Sequence, residues 1–232
     1  MSIHDGHRQR LKNRFRQEGL DKFDEIQGLE LLLFYAIPQK DTNPLAHRLL
    51  DHFGSLAQVL EAPAVELEKI SGVGTNAATL LTLTTALARY YMVNRTAQNT
   101  VLTSLEKCGD YLLPYFVGRR NETVFLLCMD AKCKVLGCKE VGEGSVNSAS
   151  VPIRRIVEMA LGMNATSVIL AHNHPSGLAL PSGEDVQTTR RLAAALDAVD
   201  ITLADHIVVA DDDYVSLVQS GLYRPGGCCL IV

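Results

Sequence analysis

The chain reads as an all-α N-terminal region followed by an α/β domain, and three observations predict this. Up to about Asn94 the apolar residues fall into punctuated helical runs with no convincing alternating strand. Residues 95–100, Arg-Thr-Ala-Gln-Asn-Thr, form a short polar stretch suited to a linker. From Val101 onward, helical segments alternate with strand-like runs at residues 123–129, 168–174 and 207–210, the pattern of a sheet layered with helices. The expected division is a helical region over residues 1–94, an α/β domain over 101–224 and a short tail over 225–232.

In the first region, helices are expected at residues 29–35, 44–53, 56–60 and 76–92. Between the last two, Leu67 to Ala78 has the form of a helix-hairpin-helix, with Gly72-Val73-Gly74 at its turn. Glycines there let two helices meet closely and expose N–H groups at a helix start, where a phosphate can dock. The basic run from His7 to Arg16 adds positive charge that suits a DNA backbone. Against this stand a formal charge of −4 for the whole chain and Asp21, Asp24, Glu25, Glu61, Glu66 and Glu68 in the same region. Glycine-turn helical hairpins also serve as plain packing units, and a basic helix is often only a solvated face. DNA contact and plain packing both remain open here.

The second region carries the chemistry. Val168-Ile169-Leu170-Ala171 is an apolar run of the kind found in a buried strand, and His172-Asn173-His174 closes it. Imidazoles at i and i+2 share a face only in an extended strand, so the spacing itself asks for strand geometry. Pro175-Ser176-Gly177 then turns the chain, and Pro181 to Asp185 reads as a helix start with Ser182 near the N-cap and Asp185 in the first turn. That turn can bring Asp185 back to the histidines. Two neutral imidazoles and a carboxylate are donors that Zn2+ accepts, and three protein ligands leave the fourth tetrahedral position for water. Taken singly, Ser182 to Asp185 is an ordinary capped helix start, and a His-x-His pair is weak evidence for a metal. Joined on a strand, turn and helix frame, they point to a catalytic metal centre.

His172-x-His174, seven residues, Ser182, two residues and Asp185 resembles the JAMM motif of MPN/JAB-type metalloproteases, and His-Asn-His-Pro-Ser-Gly resembles its RadC-like branch. Gly144-Ser145, Ser148-Ala149-Ser150-Val151 and Asp205-His206 are similar to further landmarks of that branch. Gly6-His7-Arg8 and Gly72-Val73-Gly74 are similar to its N-terminal region. The resemblance implies a JAB/MPN-type, cytidine deaminase-like α/β fold and a hydrolase acting on peptide or isopeptide bonds. It implies that His172, His174 and Asp185 hold Zn2+, that Ser182 donates a hydrogen bond to the oxyanion, and that an upstream glutamate is the general base. Glu122, which opens the strand-like run at residues 123–129, fits that base best. Glu140 and Glu143 lie closer in sequence, and Glu143 in a Gly-Glu-Gly stretch is the main alternative. The family's traditional link with DNA repair or recombination supplies the alternative reading of a DNA-associated protein. Asn173 stands where JAMM peptidases often carry Ser or Thr, which weakens any transfer of their substrate preference. For Asp205-His206 two readings stand: support for the metal site, or a polar strand start satisfied by local hydrogen bonds.

At 232 residues and 47% hydrophobic, the chain can bury a substantial core. No apolar run approaches the ~20 residues that span a bilayer, and the N-terminal residues lack the apolar stretch of a signal peptide, so a cytoplasmic protein without membrane contact is expected. Of six cysteines, Cys133 and Cys138 lack a second pair at structural-zinc spacing, and most are expected to be reduced packing residues. The ending Cys229-Leu230-Ile231-Val232 matches a prenylation box only formally, because the resemblance is bacterial. Oligomeric state and substrate are not legible.

Overall fold

The computed structural model describes residues 3–96, 100–144 and 152–226, without the side chains of residues 3–5 and 96. Ser145, Ser148 to Val151, residues 97–99 of the expected linker, and Cys228 to Val232 lie outside the described residues. The chain divides into two compact units, Met1–Ala88 and Arg89–Val232.

The first unit is helical, as the sequence predicts. It contains α1 (Ile3–Glu18), α2 (Glu25–Ala36), α3 (Asn43–Phe53), α4 (Leu56–Glu61), α5 (Ala64–Leu67) and the start of α6 (Thr75–Thr96). Local signals set the helix starts: the Asp24 side chain accepts from Gln27 N before α2, Ser55 accepts from Gln58 N before α4, and Pro44 stands in the first turn of α3. Leu29, Leu33, Leu49, Val59, Leu67 and Leu81 form the buried centre. Gly72, at φ +99°, makes the turn between α5 and α6, and Val73 is tucked beneath it.

Part of the basic first helix is committed to packing. Arg8 donates to the carbonyls of Ile37, Pro38 and Lys40, where the backbone leaves α2 and its last carbonyls lack helical partners. Arg14 pairs with Glu18 and also donates to Gln27 Oε1 and the Lys22 carbonyl. His7 Nε2 lies 3.0 Å from Glu30 Oε1, and Asn43 Nδ2 donates to Glu30 Oε2, so this buried carboxylate ties α1, α2 and α3 together. Two of the arginines read as a DNA-facing set therefore have partners within the unit.

Helix α6 continues through Arg95 and Thr96, which the sequence assigns to the linker; the exposed Arg95 has the polarity of a helix surface. The second unit then adds α7 (Leu105–Phe116), β1 (Thr123–Met129), β2 (Val135–Glu143), α8 (Ile153–Gly162), β3 (Ser167–Asn173), α9 (Gly183–Asp197), β4 (Thr202–Ala210) and β5 (Asp213–Ser216). The five strands form one sheet in the order β2-β1-β3-β4-β5, with β3 and β4 parallel and the other pairs antiparallel. The β3–α9–β4 segment is thus a parallel crossover through a helix.

Alternation along β1 and β3 sorts two cores. Phe125, Leu127, Met129, Ile169 and Ala171 join Leu112, Tyr115 and Phe116 of α7. Val124, Leu126, Cys128, Val168 and Leu170 join Ile156 of α8 and Leu192 and Leu196 of α9. Helices on both faces explain why β1 and β3 are apolar almost throughout. β4 begins at Thr202, five residues before the apolar run that marks it in the sequence, so Asp205 and His206 lie inside the strand and not at a polar start.

Candidate metal centre

The end of β3 sets the two histidines. His172 pairs with Val124 of β1 and Val208 of β4, and His174 N donates to Val209 O at 2.8 Å, so extended backbone continues through both imidazoles. His172 and His174 share the face of Val168 and Leu170, the face on which α9 packs. The side chain of His172 is fully buried and that of His174 is 17% exposed, as suits a centre open on one side.

Helix α9 brings the carboxylate. Ser182 is its N-cap, and a complete capping box joins Ser182 to Asp185. Ser182 Oγ accepts from Asp185 N at 3.1 Å, while Ser182 N and Oγ each donate to Asp185 Oδ2 at 2.6 Å. Oδ2 is therefore held, and Oδ1 is turned to His172 Nε2, 3.3 Å away. His174 Nε2 lies 3.7 Å from Asp185 Oδ2 and 3.0 Å from His172 Nε2. The cap thus leaves Oδ1 free and aims it at His172.

The donor set fits a metal ion. One ligand atom from each of His172, His174 and Asp185 lies within 4.8 Å of the others. His174 Nδ1 donates to the Leu178 carbonyl at 3.1 Å, which leaves a lone pair on Nε2. Burial pushes the pKa of His172 below the ordinary value; Asp185 opposes this, and His174 adds to it. A neutral imidazole is what a metal needs from histidine. Two nitrogen donors and a carboxylate converge on one point and can hold a metal ion.

Around these three residues the structure gathers His206, for which the sequence leaves two readings, and Thr189, which it does not single out. His206 of β4 is wholly buried, with Nε2 2.8 Å from His172 Nδ1 and Nδ1 2.6 Å from Thr189 Oγ1. Thr189 in turn donates to the Asp185 carbonyl at 2.6 Å. His206 thus lies against His172, while Asp205 accepts from Ser216 Oγ and Val218 N. Thr189 was findable, since it is four residues after Asp185 and shares its helix face.

Glu122 lies immediately before β1. Val124 pairs with His172 antiparallel, so Glu122 lies two residues before one member of this pair and His174 two residues after the other. Glu143 pairs with Thr123, and its Oε1 accepts from Asn121 Nδ2 at 2.7 Å. Glu140 is paired with Arg119 at 2.8 Å. An open cavity of about 650 Å³ is lined by Arg120, Asn121, Glu122, Glu143, Gly144 and Pro175, and Pro175 adjoins His174. Both candidate bases thus border one cavity.

A RadC-like JAB domain model matches residues 102–222. The chain is also 35% identical over 215 residues to UPF0758 protein SPO0054 of Ruegeria pomeroyi, a match covering 93% of this chain and 96% of that protein. The family match takes in the whole sheet together with His172, His174 and Asp185, so the chain belongs to the RadC-like JAB domain family.

Proposed function

We propose that the chain is a zinc-dependent hydrolase of the peptidase or isopeptidase class, with His172, His174 and Asp185 as the zinc ligands. The observation that carries the reading is the convergence of two imidazole nitrogens and a carboxylate oxygen whose neighbouring polar atoms are already engaged. Zinc bound there supplies a Lewis acid for the substrate carbonyl and activates water at neutral pH. Glu122 takes the proton of the attacking water and returns it to the amine as the C–N bond breaks. It is preferred to Glu143 because it directly precedes β1, two residues before Val124, the antiparallel partner of His172. Ser182 aligns Asp185, and its hydroxyl turns from Oδ2 to the substrate oxygen as negative charge develops there.

The test is a screen of peptide and isopeptide substrates with the zinc-loaded chain, followed by Glu122→Gln and Glu143→Gln. Glu122→Gln is expected to keep its zinc and to lose turnover by at least about 100-fold, the usual scale for a general base. Turnover retained in Glu122→Gln and lost in Glu143→Gln would move the base to Glu143.

The α5–α6 hairpin favours a second reading, in which the helical unit contacts a DNA backbone. Ser71, Gly72, Gly74, Thr75 and Asn76 are exposed at its turn, and Arg48 is beside it, donating to the Ser71 carbonyl. This reading expects salt-dependent binding of short DNA that is lost when Gly72 and Gly74 are replaced. Binding that survives both replacements would remove the hairpin from any DNA role.

A further inference from the structure

We propose that Thr189 and His206 are positioning residues for the metal centre, fixing His172 as the Nδ1–H tautomer and thereby setting the affinity of the site for Zn2+. The inference rests on the reading of His172, His174 and Asp185 as metal ligands, and its content is the direction of every proton in the chain behind them.

That direction follows from what each atom can do. The chain runs from the Asp185 carbonyl to Thr189 Oγ1 at 2.6 Å, from Thr189 Oγ1 to His206 Nδ1 at 2.6 Å, and from His206 Nε2 to His172 Nδ1 at 2.8 Å. A carbonyl only accepts, so the single hydroxyl proton of Thr189 points at Asp185 O. Its oxygen must then accept from His206 Nδ1–H. If the hydroxyl turned to His206 instead, two oxygens would face each other at 2.6 Å without a proton between them.

With its proton on Nδ1, neutral His206 presents a lone pair at Nε2, and His172 Nδ1–H donates to it. His172 therefore keeps its own lone pair on Nε2, the atom that faces His174 Nε2 and Asp185 Oδ1. Thr189, His172 and His206 have no exposed surface and Asp185 has 2%, so water offers no alternative partner. Both ends of the chain rest on proposed ligands: it begins at the backbone of Asp185 on α9, passes through β4 and ends at the imidazole of His172 on β3.

Removing the Thr189 hydroxyl removes the reason for that order. Without an acceptor at Nδ1, His206 can move its proton to Nε2 and point it at His172. The His172 proton is then driven to Nε2, where it blocks the ligand atom. Thr189→Val keeps the shape of the side chain and removes the acceptor, while Thr189→Ser keeps the acceptor and removes only a methyl group.

The experiment is competition for Zn2+ against a chromophoric chelator with the full chain as wild type, Thr189→Val and Thr189→Ser. It is joined by long-range 15N–1H imidazole spectra of the zinc-free wild type. The expected result is a loss of zinc affinity of about 10- to 100-fold in Thr189→Val, the scale of ligand-supporting partners, with affinity close to wild type in Thr189→Ser. The spectra are expected to show His172 and His206 both protonated at Nδ1, a signature that merely filling space at position 189 would not require. Wild-type affinity in Thr189→Val, or a zinc-free wild type with His172 protonated at Nε2, overturns the inference. The spectra need no variant, so a failure of Thr189→Val to fold leaves a decisive measurement. A wild type that takes no zinc overturns the metal-centre reading itself, and this inference with it, before any variant is compared.

Discussion

Asn173 stands between the two imidazoles in the sequence and on the opposite face of β3 in space. Its Oδ1 accepts from Thr123 N at 2.8 Å, and its Nδ2 donates to the carbonyls of Arg119 at 3.3 Å and Asn121 at 3.2 Å. One side chain thus holds the backbone on both sides of Glu122. Asn173→Ala leaves the buried Thr123 N–H without this partner and is expected to destabilise the chain by about 1–3 kcal/mol, the cost of a buried unsatisfied group. Urea denaturation measures this, and an unchanged midpoint would mean that another group takes over the bonds. The opposite-face position of Asn173 was legible, because strand alternation is local. Its partners were not, since they lie 50 or more residues away and meet it only through the β1–β3 register. The same reason hid the contact between His172 and His206, which depends on the parallel pairing of β3 with β4.

At the scale of elements, the start of α9 and the length of β4 carry consequences of their own. Ser182→Ala removes the N-cap acceptor and one of the two hydrogen bonds that hold Asp185 Oδ2. Stability is expected to fall by about 1 kcal/mol and zinc affinity to fall with it, whereas a lone loss of stability would limit Ser182 to capping. Within β4, burial raises the Asp205 carboxyl from 3.8 to about 6, against hydrogen bonds from Ser216, Val218, His206 and Leu217 that lower it. The folded state therefore binds this proton more tightly than the unfolded state. The cost of the buried carboxylate is fully present above about pH 6 and disappears as pH falls toward 3.8. A carboxyl raised from 3.8 to about 6 carries a cost of about 3 kcal/mol. Relative to wild type, Asp205→Asn is expected to gain about 2 kcal/mol between pH 4 and pH 7, most of that cost, whatever its constant offset. A difference independent of pH would mean that the hydrogen bonds hold the carboxylate at its ordinary value.

These elements also mark where the sequence was readable. β1 and β3 declared themselves through apolar, β-branched runs because both of their faces are covered. β2, with Gly137, Lys139, Glu140, Gly142 and Glu143, lies at the sheet edge and lacks a continuous buried pattern, so nothing in its composition separates it from a loop. β5 has only four residues and is defined by its pairing with β4. The early part of β4 was missed because its polar residues are satisfied by contacts that only the folded sheet supplies.

For the molecule as a whole, two units with separate buried cores divide the chemistry from the helical hairpin. No helix among the described residues is long and apolar enough to cross a membrane. In the first unit, Arg8 and Arg14 serve packing, which leaves the exposed Arg10 and Arg16 of α1 and the α5–α6 turn for any contact with DNA. In the second, the sheet and α9 bring His172, His174 and Asp185 together, and Glu122 borders a cavity with Pro175. The most direct test of the central claim is zinc content per chain, measured for protein purified without chelator as wild type, Glu122→Ala and His174→Ala. The account predicts about one zinc in wild type and Glu122→Ala and little in His174→Ala, as for an open site with three protein ligands. A folded wild type that holds no metal and takes none on reloading would contradict it.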